Sequence, residues 1–445
     1  MGVADREVDI NNPFYSNTLS SINTAFAKRL GKAWIEPGKT SIKYLPIKDL
    51  PVLITKDGTI VCIPKLPEMG VIGVAGLTGY GKTLLAGYLI DNIYWGWGDS
   101  LGILNDSQEE TFTWSEASDT ADFNLRLKKL NQNPMPLPMI YLFPNEEGFE
   151  VQEETIHNKN YVVVSVPFEE VMVNIEKYIP DLKGSEKYLT NMKDALLKVE
   201  SEEELFDVIE ERLDMSKQGM ADVKNKIRVS FKNLLNEGIL NLSDESVPSE
   251  LKVGDYSGNP FTAIMLAECI PSFITPNLRY QKHKDAIFSY YLDLMFEENK
   301  TGAMKGRRTW LYFDELADVV HSDTKKSALQ TEKALTNIGS RGRNNTISII
   351  YATQRYKEIP QTLRSQTKFV IIFRHKKDDT KEIVGDFGLS KPKQEEIKRL
   401  KKYEAMLVTS EYLVGYKENK KVELSGPVTG TILPPLHKNM FLRRK

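Results

Sequence analysis

The 445-residue chain has only two cysteines, Cys62 and Cys269. Two thiols far apart in sequence exclude a disulfide framework and a cysteine-rich zinc cluster. Both sit in apolar, strand-like runs, where a buried thiol is the expected state. Such sparing use suits a reducing compartment. The five histidines show no metal-ligand spacing. No apolar run is long enough to span a bilayer. The amino terminus, MGVADREVDI, lacks a basic stretch followed by an apolar one, so no secretory signal is read there. No sign of charge dominates: the formal net charge is -2. A nucleic-acid partner would therefore have to be gripped by local basic patches. Internal repeats and low-complexity tracts are missing too. What remains is a soluble globular chain, expected in the cytoplasm or at the inner face of a membrane reached through partners.

What is present is apolar material in short pieces. Hydrophobic residues make up 41% of the chain, enough for an ample core and for two to three domain-sized units as a prior. Residues 52–54 and 60–63 read as two short strands around a Lys56-Asp57-Gly58 turn. Further strands are read at 71–75, 101–104, 139–143, 161–166, 261–266, 310–313, 347–351 and 369–373. A helical run follows from Lys82 to about residue 93. Between 188 and 240 the period changes. Leu205, Val208, Ile209 and Leu213 share one helix face behind a Ser201/Glu204 capping box, and Val223, Ile227, Phe231 and Leu234 share another, stopped by Gly238. A polar helix is expected over about 326–338. Short apolar strands alternating with helices predict an α/β fold with a mostly parallel sheet covered on both faces.

The chemistry is concentrated in two motifs. Gly76-Leu77-Thr78-Gly79-Tyr80-Gly81-Lys82-Thr83 matches G-x-x-x-x-G-K-[ST] in full, and it lies between a strand and a helix as the pattern requires. Its glycines let the backbone N–H groups face phosphate, Lys82 reaches the β and γ oxygens, and Thr83 offers a hydroxyl to Mg²⁺. Leu84 completes the nucleotide-contacting set. Trp310-Leu311-Tyr312-Phe313-Asp314-Glu315 is an apolar strand that ends in two acids. Asp314 would hold Mg²⁺ through water, and Glu315 would act as general base on the attacking water. The bland alternative is an ordinary strand meeting solvent with two carboxylates. Together the motifs predict an ATPase with ATP and Mg²⁺ as cofactors.

Two further features fit. Residues 348–351 lead into Ala352-Thr353-Gln354-Arg355, where Gln354 suits a γ-phosphate sensor. Before that strand lies Ser340-Arg341-Gly342-Arg343-Asn344-Asn345. Arg343, or less favourably Arg341, could reach a neighbouring subunit's nucleotide. A solvated basic turn or a phosphate clamp for nucleic acid is the competing reading.

GLTGYGKT, LYFDEL and above all SRGRNNTISIIYATQRYKEIPQTLRSQTKFVIIFR resemble the HerA/FtsK superfamily of DNA-pumping ATPases. The matching elements are Gly342-Arg343, Thr353-Gln354-Arg355 and Arg374 after the next strand. The superfamily's D-P-x-G-E stands here as Asp106-Ser107-Gln108-Glu109-Glu110, which keeps the acids and loses the Pro and Gly. The resemblance covers about residues 66–373. It implies a RecA-like P-loop NTPase core, a homo-hexameric ring with nucleotide at subunit interfaces, and double-stranded DNA in the pore. The expected division is a β-rich lead-in over 1–65, an ATPase domain over 66–435 with a helical insertion at about 180–245, and a basic tail over 436–445. Beyond Gly426 the chain is expected to wrap a neighbour or stay mobile.

Weaker signals keep two readings each. Lys325-Lys326 could line a pore or simply start a solvated helix, Lys398, Arg399, Lys401 and Lys402 could dock DNA or face solvent, and Tyr94-Trp95-Gly96-Trp97 could stack bases or pack a helix end. The leading function is a ring motor that moves duplex DNA in genome packaging, conjugative transfer or end processing. Its partner would be a nuclease, a portal or a membrane channel. The alternatives are a secretion-channel assembly ATPase and a nucleotide-gated defence or scaffold ring.

Overall fold

The computed structural model describes residues 49–64, 70–96, 100–106, 110–129, 132–137, 139–144, 161–164, 166–174, 178, 186–213, 220–236, 240–242, 270–274, 289–290, 292–296, 308–320, 335, 347–375, 377–418 and 420–438. Its strands in chain order are β1 Leu50–Ile54, β2 Ile60–Ile63, β3 Val71–Ala75, β4 Ser100–Asp106, β5 Met139–Pro144, β6 Tyr161–Val164, β7 Val166–Pro167, β8 Leu240–Asn241, β9 Ile270–Ile274, β10 Arg308–Phe313, β11 Ile347–Thr353, β12 Thr367–Ile372, β13 Glu404–Thr409, β14 Leu413–Lys417, β15 Lys420–Leu424 and β16 Val428–Ile432. The helices are α1 Lys82–Gly96, α2 Ala121–Lys129, α3 Phe168–Val173, α4 Glu186–Leu196, α5 Glu202–Arg212, α6 Met220–Asn236, α7 Gln361–Gln366, α8 Lys377–Phe387 and α9 Lys391–Arg399. The expected strand at 261–266, the polar helix at 326–338 apart from Leu335, Lys325-Lys326, and the turn with Arg341 and Arg343 lie outside the described residues.

One sheet of 14 strands runs in the order β15-β14-β2-β1-β16-β13-β12-β3-β11-β10-β4-β9-β5-β6. From β12 to β6 every neighbour pair is parallel, and from β12 back to β15 every pair is antiparallel. The central strands are buried on both faces. Along β10, Trp310 and Tyr312 face α1 and its neighbours, and Leu311 and Phe313 face the insertion helices. Burial on both sides is why these strands read as unbroken apolar runs. A third cluster seats α8 and α9, through Ile383, Ile397 and Leu400, on Val370 and Ile372 of β12.

Helices α4 to α6 occupy the stretch read as helical. Ile209, Ile227, Phe231 and Leu234 are buried there. The α5 cap is half of the expected box. Ser201 Oγ accepts from Glu204 N at 3.2 Å, but the Glu204 carboxylate caps Glu200 N at 3.0 Å.

The N-terminal region is β-rich as expected, and its strands join the main sheet: β1 pairs with β16, and β2 pairs with β14. The chain's end is likewise part of the core. The His437 ring pairs with Asp91 of α1 at 2.8 Å and stacks on Trp114 at 4.4 Å. Leu436 N donates to Asp91 at 2.6 Å, and Leu436 O accepts from Ser118 N and Met135 N. Residues 436–438 thus clamp α1 to the segment around α2, and only 439–445 lie outside the described residues. Among the described residues no helix is long and apolar enough to cross a membrane.

Candidate functional site

Parallel strands end at one edge, so β3, β10, β11 and β12 deliver Gly76, Asp314, Gln354 and Phe373 side by side. The crevice at the carboxyl ends of such strands is where α/β proteins bind ligands. One strand, β11, stands between the strand that feeds the glycine loop and the strand that ends in Asp-Glu. The loop is stitched to this edge by main-chain bonds. Gly76 N donates to Thr353 O at 3.1 Å, and Leu77 N donates to Arg374 O at 2.9 Å.

The loop's shape needs its glycines. Gly79 and Gly81 have φ of 80° and 111°, a region that residues with a Cβ avoid. Helix α1 begins at Lys82, so its positive end points into the loop. Lys82 is only 8% exposed, and its Nζ donates to Leu77 O at 3.4 Å. Thr83 and Leu84 lie on the first turn of α1, Thr83 half-buried and Leu84 buried. Thr78, exposed on the loop, donates its hydroxyl to Gln354 Oε1 at 2.5 Å.

Asp314 and Glu315 are both buried, 4% exposed each. Tyr312 holds Asp314 by a hydroxyl bond of 3.1 Å to Oδ1. Glu315 Oε1 accepts from the Thr353 hydroxyl at 2.7 Å, and Oε2 accepts from Gln354 N at 2.9 Å. Burial pushes the Glu315 carboxyl above its ordinary range, while these two bonds and the nearby Lys82 charge pull the other way. Arg355 N donates to Thr353 Oγ1 at 3.0 Å, and its guanidinium spans Asp318 and Glu358. Its charge is thus committed to the short helix Leu316–Asp318 and to Glu358.

The donor set fits Mg-ATP. Hydroxyl and carboxylate oxygens from Thr83 and Asp314 suit a hard divalent cation. Lys82, the α1 terminus and the open face of Gly79, where no atom lies within 4 Å of an added Cβ, suit phosphate. The structure brings Gly76, Thr78, Gly79, Tyr80, Gly81, Lys82, Thr83, Leu84, Asp314, Glu315 and Gln354 to one edge. Asp106 ends β4 beside β9, and Glu110 opens a short helix, Glu110–Thr113. The basic residues after 397 face solvent or near it, with Lys398 paired to Glu395 at 2.5 Å.

The sequence reading assigns no role to Thr353, Tyr312, His375 or Tyr403. Thr353 lies inside the quoted T-Q-R motif, which marks its place without its partner. His375 follows Arg374, is buried, and has no hydrogen-bond partner on either ring nitrogen among the described residues. Burial, and then the Lys82 charge, lower its pKa to about 4.

No protein-family model and no curated protein matches the chain. Solved structures do. VirB4 of Thermoanaerobacter pseudethanolicus aligns at a TM-score of 0.48 with 14% identity, covering 85% of this chain and 96% of that one. The plasmid coupling protein TrwB in complex with ADP and Mg²⁺ aligns at 0.46 with 14% identity, over 85% and 90%. The genome packaging NTPase B204 from Sulfolobus turreted icosahedral virus 2, in complex with ATP-γS, aligns at 0.26 with 14% identity, over 38% and 73%. By its own strand order and glycine loop the chain has a RecA-like P-loop NTPase fold, and in its motifs it resembles the HerA/FtsK superfamily.

Proposed function

We propose that the chain is an ATPase that works as a ring motor on double-stranded DNA. The observation that carries the ATPase reading is the contact between the two motifs. Glu315 is buried, held by Thr353 and Gln354, and Gln354 in turn meets Thr78 of the glycine loop. In this reading the loop amides and Lys82 bind and orient the triphosphate. Thr83 and Asp314 would hold Mg²⁺, which when bound neutralises charge on the β and γ oxygens. Glu315 takes the proton of the attacking water, and its fixed carboxylate aims that water in line. Gln354 gives up the Thr78 hydroxyl that its Oε1 accepts, turns its side-chain Nε2 to donate to the terminal phosphate, and reports this to Glu315 through its main-chain N–H. Arg343 or Arg341 of a neighbouring subunit completes the charge around the reacting phosphate.

The DNA reading rests on the motif resemblance, above all on residues 340–374. Its test is ATP turnover with and without linear duplex DNA, over a range of salt. Stimulation that fades steeply as salt rises supports a motor that grips phosphates. Turnover indifferent to every duplex at low salt overturns the DNA reading and leaves the ATPase reading standing.

A further inference from the structure

The glycine loop carries an aromatic ring in its middle. Tyr80 lies between Gly79 and Gly81, half-buried. Arg374 is exposed, donates Nη1 to the Tyr80 hydroxyl at 3.2 Å, and places its guanidinium 5.9 Å from the Tyr80 ring centroid. A second ring meets the loop from the antiparallel half of the sheet. Tyr403 N donates to Tyr80 O at 3.1 Å, and Tyr403 O accepts from Ile432 N at 3.0 Å. A Cβ on Gly81 would lie 3.0 Å from Tyr403 Cδ1, so the ring edge is pressed against the loop. Lys402 Nζ stands 5.0 Å from the Tyr403 ring centroid.

Tyr403 is also one of two described non-glycine residues with positive φ, at 67°. That conformation is costly for a side chain with a Cβ, and glycine adopts it freely. The two main-chain bonds of residue 403 would be made equally well by glycine. They therefore account for the turn and not for the ring. Both rings pack on one side against the core cluster that holds α1, yet each stays half-buried, so part of each ring is left uncovered beside the phosphate loop.

We propose that Tyr80 and Tyr403, flanked by Arg374 and Lys402, form the nucleoside subsite of this loop, an aromatic surface that holds the base of a bound triphosphate by its face. The inference rests on the reading that the loop binds a nucleotide. Every base has a π-face, so stacking of this kind tolerates the base's identity. The flanking cations strengthen the aromatic surface. The Tyr80 hydroxyl is already engaged by Arg374. Recognition is thus by face and not by edge, and ATP and GTP bind alike.

The test is equilibrium binding of ATP, GTP and inorganic tripolyphosphate to the full chain and to Tyr403→Gly, Tyr403→Phe and Tyr80→Ala. Tyr403→Gly removes the ring and relaxes the positive φ, which offsets part of the packing it gives up against the core. The wild-type chain should bind both nucleotides more tightly than tripolyphosphate. Tyr403→Gly and Tyr80→Ala should each weaken ATP and GTP about tenfold, the effect of losing one stacking ring, with tripolyphosphate unchanged. Tyr403→Phe should bind as the wild type does. Equal losses for ATP and tripolyphosphate would overturn the inference, because the rings would then only support the loop. A strong preference for one purine would overturn recognition by face. A wild-type chain that binds tripolyphosphate but gains nothing from the nucleoside overturns the subsite alone. One that binds none of the three overturns the loop reading as well.

Discussion

Thr353 donates its hydroxyl to Glu315 Oε1 at 2.7 Å and accepts from Arg355 N at 3.0 Å, so one buried hydroxyl joins the ends of β10 and β11. Thr353→Val keeps the shape and removes the donor. A buried carboxylate left short of a partner costs about 1–3 kcal/mol. The variant should lose roughly that much stability in urea unfolding, and its single-turnover hydrolysis should slow while nucleotide affinity holds. Thr353→Ser should recover both. Loss of nucleotide affinity with normal hydrolysis of what is bound would show that Thr353 does not act through Glu315.

Glu315→Gln keeps an oxygen for Thr353 and loses the base. Mg-ATP should bind as before, and turnover should drop by about 10²–10⁴, the usual contribution of a positioned general base. Filter binding alongside product formation checks this. Near-normal turnover would remove Glu315 from the chemistry.

The two glycines of positive φ within the phosphate loop, Gly79 and Gly81, should respond differently to a methyl group. At Gly81 a Cβ would sit 2.9 Å from Ile432 Cδ1 and 3.0 Å from Tyr403 Cδ1, with φ at 111°. At Gly79, φ is 80° and nothing lies within 4 Å. Gly79→Ala should cost only the backbone strain, about 1–2 kcal/mol. Gly81→Ala should cost more and should also pull Tyr403 and Ile432 away from the loop. Urea midpoints rank the two, and the reverse order would contradict the packing around Gly81.

His375 sets a pH dependence whose sign can be worked out. Its folded pKa is about 4 against an ordinary 6.5, because burial and then Lys82 disfavour the imidazolium. The unfolded chain therefore binds the proton more readily. Stability from this residue is complete above about pH 6.5 and is lost as pH falls toward 4, by about 3 kcal/mol in all. Asp379 Oδ2 lies 3.9 Å from the ring's Nδ1. His375→Phe should flatten the stability profile over that window. An unchanged acid-side slope in the variant would place the titration elsewhere.

The parts of the fold that could be read in advance are those whose side chains are buried on both faces. β3, β10, β11 and β12 are continuous apolar runs, and the two motifs at their ends fix which edge carries the site. In the antiparallel half β1 and β2 could be read as a pair around their turn, but β13 to β16 could not. β15 alternates Lys420, Lys421, Val422, Glu423 and Leu424 with exposed and half-buried faces, which looks like a solvated segment until β14 pairs with it. The buried clamp at Leu436 to Lys438 was hidden for a different reason. His437 looks like part of a basic tail, and only its partner Asp91, far away on α1, makes it interior. The same holds within the site. Glu315 is visible as an acid after a strand, but its tie to Thr353 depends on the pairing of β10 with β11.

The last prediction concerns Arg343, which the motifs place on the turn before β11. If it acts on a neighbour's nucleotide, an isolated subunit should hydrolyse ATP poorly, and activity per chain should rise with concentration as rings form. The arginine works by charge near the terminal phosphate. Arg343→Ala should therefore leave folding and nucleotide binding intact and cut turnover. Lys82→Ala should lose binding and turnover together, because it removes the cation that the start of α1 brings to the loop. Mixing the two variants separates action in trans from action in cis. In a mixed ring some interfaces join an intact loop to an intact arginine, and part of the activity should return. Mixed rings confirmed by mass that stay inactive would assign Arg343 to its own subunit or to DNA. A chain that remains monomeric with ATP and DNA yet turns over quickly would end the ring model.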